Sequence, residues 1–284
     1  MKTLTPTLTN GHDPETIPVT HHCYTWGGSG EVMMLLHGFT GSGESWAEHG
    51  EGFARAGFRV LAPDLLGHGR SPAPADPRRY AMVHAAADLA ALIRTHAHGA
   101  VHLLGYSMGG RLALHLALTH PELVRSLVLE SASPGLAGRE ERAARKAQDE
   151  ALALRIEKEG VPAFVDFWER LPLWRTQARL DQETRDKLRA QRLRNRALGL
   201  ANSLRGMGTG VQPNLWPYLP ALLRPTLLLV GAEDAKFVEI NRRMVPALPQ
   251  ARLAVIPEAG HTVHLEAPAA FQAHVLDFIA GQSG

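Results

Sequence analysis

At 284 residues, with 45% hydrophobic and 20% charged side chains, the chain has a globular composition and the length to bury a substantial core. A formal net charge of +2 gives no basis for nucleic-acid binding, and the single cysteine, Cys23, excludes an intrachain disulfide framework or a multi-cysteine metal site. No run approaches the roughly 18 apolar residues of a membrane span.

Residues 1–18 are polar and carry Thr and Pro without an apolar stretch, so they read as a flexible tail, neither signal peptide nor anchor. Ile17 to Trp26 is predicted as an edge strand ending at Gly27-Gly28, and the unbroken apolar run Val32 to Leu36 as a strand buried on both faces. The glycine-rich loop His37 to Gly43 comes next, followed by a helix over Ser45 to Ala56 and a strand over Phe58 to Ala62. After the loop Asp64 to Ser71, Tyr80 to His96 is predicted helical, Ala100 to Leu104 strand, Met108 to Thr119 helix and Leu127 to Glu130 strand. Strands alternating with helices imply βαβ units and a mainly parallel sheet.

The alternation stops at Gly135. From there to Arg224 the patterning is helical, broken at Gly160-Val161-Pro162, Pro172 and Gly206 to Gly210. Strands return at Thr226 to Val230 and Leu253 to Ile256, and Ala269 to Ala280 closes the chain as a helix. The expected layout is an α/β core over 19–134 and 225–284, interrupted by an all-helical cap over 135–224. The cap holds 17 Lys and Arg against 11 Asp and Glu, a net of +6, while the remainder nets −4. Most such arginines line a solvated face, but a positive lid over a cleft would also gather an anionic substrate.

The chemistry concentrates in Gly105-Tyr106-Ser107-Met108-Gly109, a G-x-S-x-G between an apolar strand and a helix. This context sets Ser107 on a sharp turn with its hydroxyl exposed. A serine needs an imidazole to activate it, and the imidazole a carboxylate to orient it. In this chain order the acid precedes the histidine. Asp234, with Glu233 as its rival, and His261 each follow a strand end. The backbone amides of Phe39 and Met108 are the expected oxyanion donors. His264, three residues after His261, could pair with it on a metal, but no further ligand cluster accompanies them and no metal or other cofactor is expected. His37, His68 and His102 read as loop or packing residues.

The motifs resemble the α/β-hydrolase superfamily from about residue 20 onward. Leu36 to Ser42, Gly105 to Arg111, Ser131 to Leu136, Gly199 to Gly210 and Glu233 to Phe237 together are similar to the 2-succinyl-6-hydroxy-2,4-cyclohexadiene-1-carboxylate synthases of menaquinone biosynthesis. The resemblance favours Asp234 over Glu233. It implies a lyase acting on a small polycarboxylate; the lone Cys23 fits a reducing cytoplasm, and charge and hydropathy give no reason to expect a nucleic-acid or membrane partner. Pyruvate is eliminated from 5-enolpyruvyl-6-hydroxy-2-succinyl-cyclohex-3-ene-1-carboxylate, with Ser107 or His261 taking the ring proton. Three carboxylates suit guanidinium forks. Arg111, four residues beyond Ser107, should reach the cleft floor. The family pattern adds Arg145, Arg192 (with Arg194 and Arg196 beside it) and Lys236, for which a surface role is the alternative; Arg142 reads as solvent-facing, and Tyr106 and Trp168 as pocket lining or as simple core packing. The alternatives are a carboxylesterase or carbon–carbon hydrolase working through an acyl-enzyme, or a non-catalytic binding member of the fold.

Overall fold

A computed structural model describes residues 2–4 and 20–282. Its eight-stranded sheet runs β1 (Lys2–Leu4), β2 (Cys23–Trp26), β4 (Arg59–Pro63), β3 (Val32–Leu36), β5 (Val101–Tyr106), β6 (Val124–Glu130), β7 (Thr226–Gly231) and β8 (Ala251–Ile256). The β1–β2 and β2–β4 pairings are antiparallel and every other pairing is parallel.

Strand β3 is buried along its whole length because helices cover both faces of the sheet. Met33 and Leu35 pack with residues of α1 (Ala47–Arg55) and the closing helix α9 (Pro268–Ala280). Met34 and Leu36 face α2 (Met82–His96) and α3 (Met108–Thr119). Between β6 and β7 the chain leaves the sheet for α4 (Arg139–Trp168), α5 (Gln182–Leu193) and α6 (Ala197–Met207); α7 (Ala235–Met244) follows β7, and the short α8 (Val263–Glu266) follows β8. This insert has its own apolar centre, in which Ile156, Phe164 and Val165 meet Leu200 and Leu204. Phe39 packs against both that centre and the core below, so insert and core share a seam.

The break expected at Gly160-Val161-Pro162 is a kink inside α4. Gly160 takes φ 81, ψ 168, a conformation in which Pro162 can follow without a clash against the preceding turn.

Two expectations at the start of the chain change. Most of 1–18 lies outside the described residues, but Lys2–Leu4 is a strand paired with β2, so that part is not a free tail and β2 is not the sheet edge. The strand expected over Ile17 to Trp26 begins at Cys23, and Ile17 to Val19 lie outside the described residues. His21 instead turns inward, its ring bonding the Asp64 carbonyl and the Asp88 carboxylate.

Candidate active site

Ser107 occupies the tip of the β5–α3 turn at φ 50, ψ −108, a strained conformation for a residue with a side chain. The turn closes only because its neighbours lack one. A Cβ on Gly109 would sit 2.4 Å from the Leu36 carbonyl oxygen, and one on Gly105 would sit 2.4 Å from that of Gly109. The Ser107 amide donates to the Glu130 carbonyl at 2.8 Å, which ties the turn to the end of β6.

His261 follows β8 and Asp234 follows β7, so both reach the same carboxyl edge of the sheet. The His261 ring donates from Nδ1 to Asp234 Oδ2 at 2.6 Å, and its Nε2 stands 3.1 Å from Ser107 Oγ as the acceptor of the hydroxyl. Asp234 is also the N-cap of α7, accepting from the Phe237 amide at 3.4 Å, so one carboxylate serves the helix and the imidazole. Glu233 points elsewhere, to Arg179 at 2.7 Å. Tyr106, Trp174 and Phe237 surround the imidazole with ring centroids 4.7 to 5.6 Å away, leaving it 2% exposed.

Above Ser107 opens a cavity of about 520 Å³ lined by Phe39, Tyr106, Met108, Arg111, Arg145, Trp168, Lys236 and His261, among others. Phe39 and Met108, whose amides are the expected oxyanion donors, both line it. Arg111 lies in the wall, where burial and the nearby Arg145 charge lower its guanidinium to about 10. Arg145 donates to the buried Asp149 at 2.8 Å. Burial pushes the Tyr106 phenol far up, and its hydroxyl meets Thr262 Oγ1 at 3.1 Å. Lys236 extends past the Phe237 ring, 5.9 Å from its centroid.

Arg192 is not brought to this cavity. It lies behind Trp174 and borders a separate space of about 40 Å³, held by Glu169 at 2.9 Å and Gln177 at 3.2 Å. The face of α5 turned toward Glu169 decides this, and the sequence pattern does not reveal it. Arg194 reaches Glu44 and Arg196 the Ser71 carbonyl, so neither substitutes for it. Arg142 bonds the Leu136 and Ala137 carbonyls.

His264 is not a metal partner of His261. Its ring and its amide both donate to the fully buried Glu130 carboxylate. Among the described residues no group of three or more His, Cys, Asp or Glu gathers at metal-binding distance, and no helix is long and apolar enough to cross a membrane. His37 and His68 are structural, both with their proton affinity depressed by burial, to about 3 and about 4. Sequence reasoning passed over Trp174, Phe237, Glu130 and Gln212. Only Phe237 carried a signal, its place in Glu233-Asp234-Ala235-Lys236-Phe237.

Residues 31–268 match the family model for the α/β-hydrolase fold. A Serratia proteamaculans 2-succinyl-6-hydroxy-2,4-cyclohexadiene-1-carboxylate synthase is 32% identical over 248 residues, 87% of this chain and 92% of the relative. A Bacillus subtilis protein given the same name provisionally is 45% identical over 249 residues, 88% of this chain and 90% of its own. The solved structure of MenH from S. aureus superposes with a TM-score of 0.89 at 33% identity, covering 93% of this chain and 99% of that one.

Proposed function

The chain belongs to the 2-succinyl-6-hydroxy-2,4-cyclohexadiene-1-carboxylate synthase family within the α/β hydrolases, and we propose that Ser107, His261 and Asp234 perform the proton transfers of its elimination. It is a lyase of menaquinone biosynthesis. The observation that carries the assignment of residues is the unbroken chain from Asp234 through His261 to Ser107 Oγ, at 2.6 and 3.1 Å, opening into a cavity with a guanidinium in its wall.

His261, oriented by Asp234, draws the Ser107 proton. The serine oxygen then removes the ring proton made acidic by the neighbouring succinyl ketone. The electrons of that C–H bond pass into the ring π-system with negative charge on the ketone oxygen, which we assign to the backbone amides of Phe39 and Met108, both residues of the cavity lining. As the diene forms, the C–O bond to the enolpyruvyl group breaks, and the departing pyruvate enolate takes up a proton held by the triad. The strained backbone at Ser107 fixes its oxygen in advance of the reaction. Arg111, Arg145 and Lys236 supply the cations that receive the substrate's carboxylates. We take residues 135–224 as the cap that keeps water away, with Arg192 bracing Trp174 in its inner wall, and we locate the reaction in the cytoplasm, where a lone thiol such as Cys23 stays reduced.

An acyl-enzyme esterase would use the same triad, but a cation within the pocket wall is misplaced for a neutral ester. The decisive assay feeds the enzyme the product of the preceding pathway step and follows pyruvate. Wild type should release it, and Ser107→Ala should lose nearly all turnover while still binding substrate. Undiminished turnover in that variant refutes the mechanism.

A further inference from the structure

Arg111 is held by two neutral acceptors. Its Nη1 donates to the Met207 carbonyl at 2.7 Å and to Gln212 Oε1 at 3.0 Å. Both hydrogens of that nitrogen are thus used, and the edge formed by Nε and Nη2 remains. Among the described residues those three hydrogens meet no protein acceptor, and Arg111 forms no ion pair. That edge is the planar fork that grips a carboxylate through two parallel bonds.

Gln212 is 1% exposed and has one usable orientation. Its Nε2 donates to the Ser133 carbonyl at 3.2 Å, which forces Oε1 toward Arg111, and its amide donates to the Gly208 carbonyl at 3.0 Å. A glutamate has the same shape and would make the stronger bond to a guanidinium, yet this position is occupied by the uncharged amide.

We infer that Gln212 is a positioning and specificity residue, which aims Arg111 at the cavity while leaving its charge unmatched until a substrate carboxylate arrives. The inference rests on the assignment of Arg111 to substrate binding. A carboxylate at 212 would neutralise the guanidinium from within and compete with the ligand for it. The stability given up by leaving a half-buried cation without a counter-ion is recovered when substrate binds.

The test is a double-mutant cycle on the full chain, with pyruvate release read for KM and kcat and thermal melts alongside. Gln212→Glu should raise KM at least about tenfold, the loss of one charge-assisted interaction, while the melt reads separately the cost of setting a carboxylate oxygen against the Ser133 carbonyl. Gln212→Met, which removes the acceptor without adding charge, should raise KM by a smaller factor. In an Arg111→Ala background, Gln212→Glu should change KM less than about twofold, since its effect runs through the guanidinium. A Gln212→Glu enzyme with wild-type KM, or one whose effect persists undiminished without Arg111, overturns the inference. An Arg111→Ala enzyme with unchanged KM would instead remove the binding assignment beneath it.

Discussion

Replacing Glu130 with Gln tests whether the frame behind the triad matters as much as the triad itself. The Glu130 carboxylate is fully buried and accepts from the His264 amide at 3.0 Å and from its ring Nδ1 at 2.9 and 2.8 Å. The main-chain carbonyl of the same residue accepts the Ser107 amide. Glu130 therefore joins the nucleophile turn to the segment carrying His261. Glutamine preserves the shape but replaces the charged acceptor of the His264 ring with a neutral amide, whose NH2 can meet Nδ1 only if the ring changes tautomer. The loss is one charge-assisted bond, about 1.5–3 kcal/mol, equivalent to roughly 2–5 °C in Tm for a chain of this size. Relaxation of 260–266 would carry His261 away from Ser107, and a shift of about 1 Å can cost on the order of 100-fold in rate. Scanning calorimetry should record the lower Tm, and pyruvate release a kcat at least about tenfold down with KM little changed, because Glu130 does not line the cavity. A variant with wild-type Tm and kcat would mean that the remaining ties suffice, namely His49 to the His264 carbonyl and Glu266 to the Gly260 and Thr262 amides.

Two further outcomes follow from the same geometry. His37 accepts the Leu65 amide at Nε2 (2.9 Å) and donates from Nδ1 to the Gly38 carbonyl (2.8 Å), so its ring must stay neutral in the folded state. Its folded-state pKa of about 3 lies below the ordinary 6.5, so the unfolded chain takes a proton that the folded chain refuses. Stability is complete above pH 6.5 and falls toward pH 3, by about 2 kcal/mol near pH 5 for this residue alone. Melts at pH 7.5 and pH 5 should show a smaller loss in His37→Gln than in wild type, and equal losses would exclude His37 as the source. Gly109→Ala should lower Tm and kcat together, because its new methyl meets the Leu36 and His37 carbonyl oxygens at 2.4 and 2.6 Å, backbone that cannot give way. A variant indistinguishable from wild type would contradict the tight elbow.

What was legible in the sequence was local. The elbow glycines, the unbroken apolar β3 and the strand-end positions of Asp234 and His261 each follow from a few adjacent residues. Glu130 with His264, Gln212 with Arg111 and Tyr106 with Thr262 are meetings across 134, 101 and 156 positions, which no local pattern encodes. Arg192 illustrates the same boundary. Its place on α5 was readable from helical patterning, but whether it faces the cavity depends on Glu169 and Trp174, reached only through tertiary packing.

The cap's excess of positive charge does not by itself make the cavity a trap for anions. Arg155 pairs with Glu159, Arg189 with Asp166 and Glu169, and Arg205 with Glu150 and Glu157, and none of these arginines lines the cavity above Ser107. Even Arg145, which does line the cavity, shares its charge with Asp149. Arg111 differs in kind: it belongs to the core, not the cap, and its fixed partners are a carbonyl and an amide. Exposed ion pairs contribute little and are screened by salt, whereas a cation in a half-buried wall keeps most of its field. Selection of a polyanion therefore follows from which guanidinium is left unmatched inside, and counting arginines along the segment overstates the contribution of the rest.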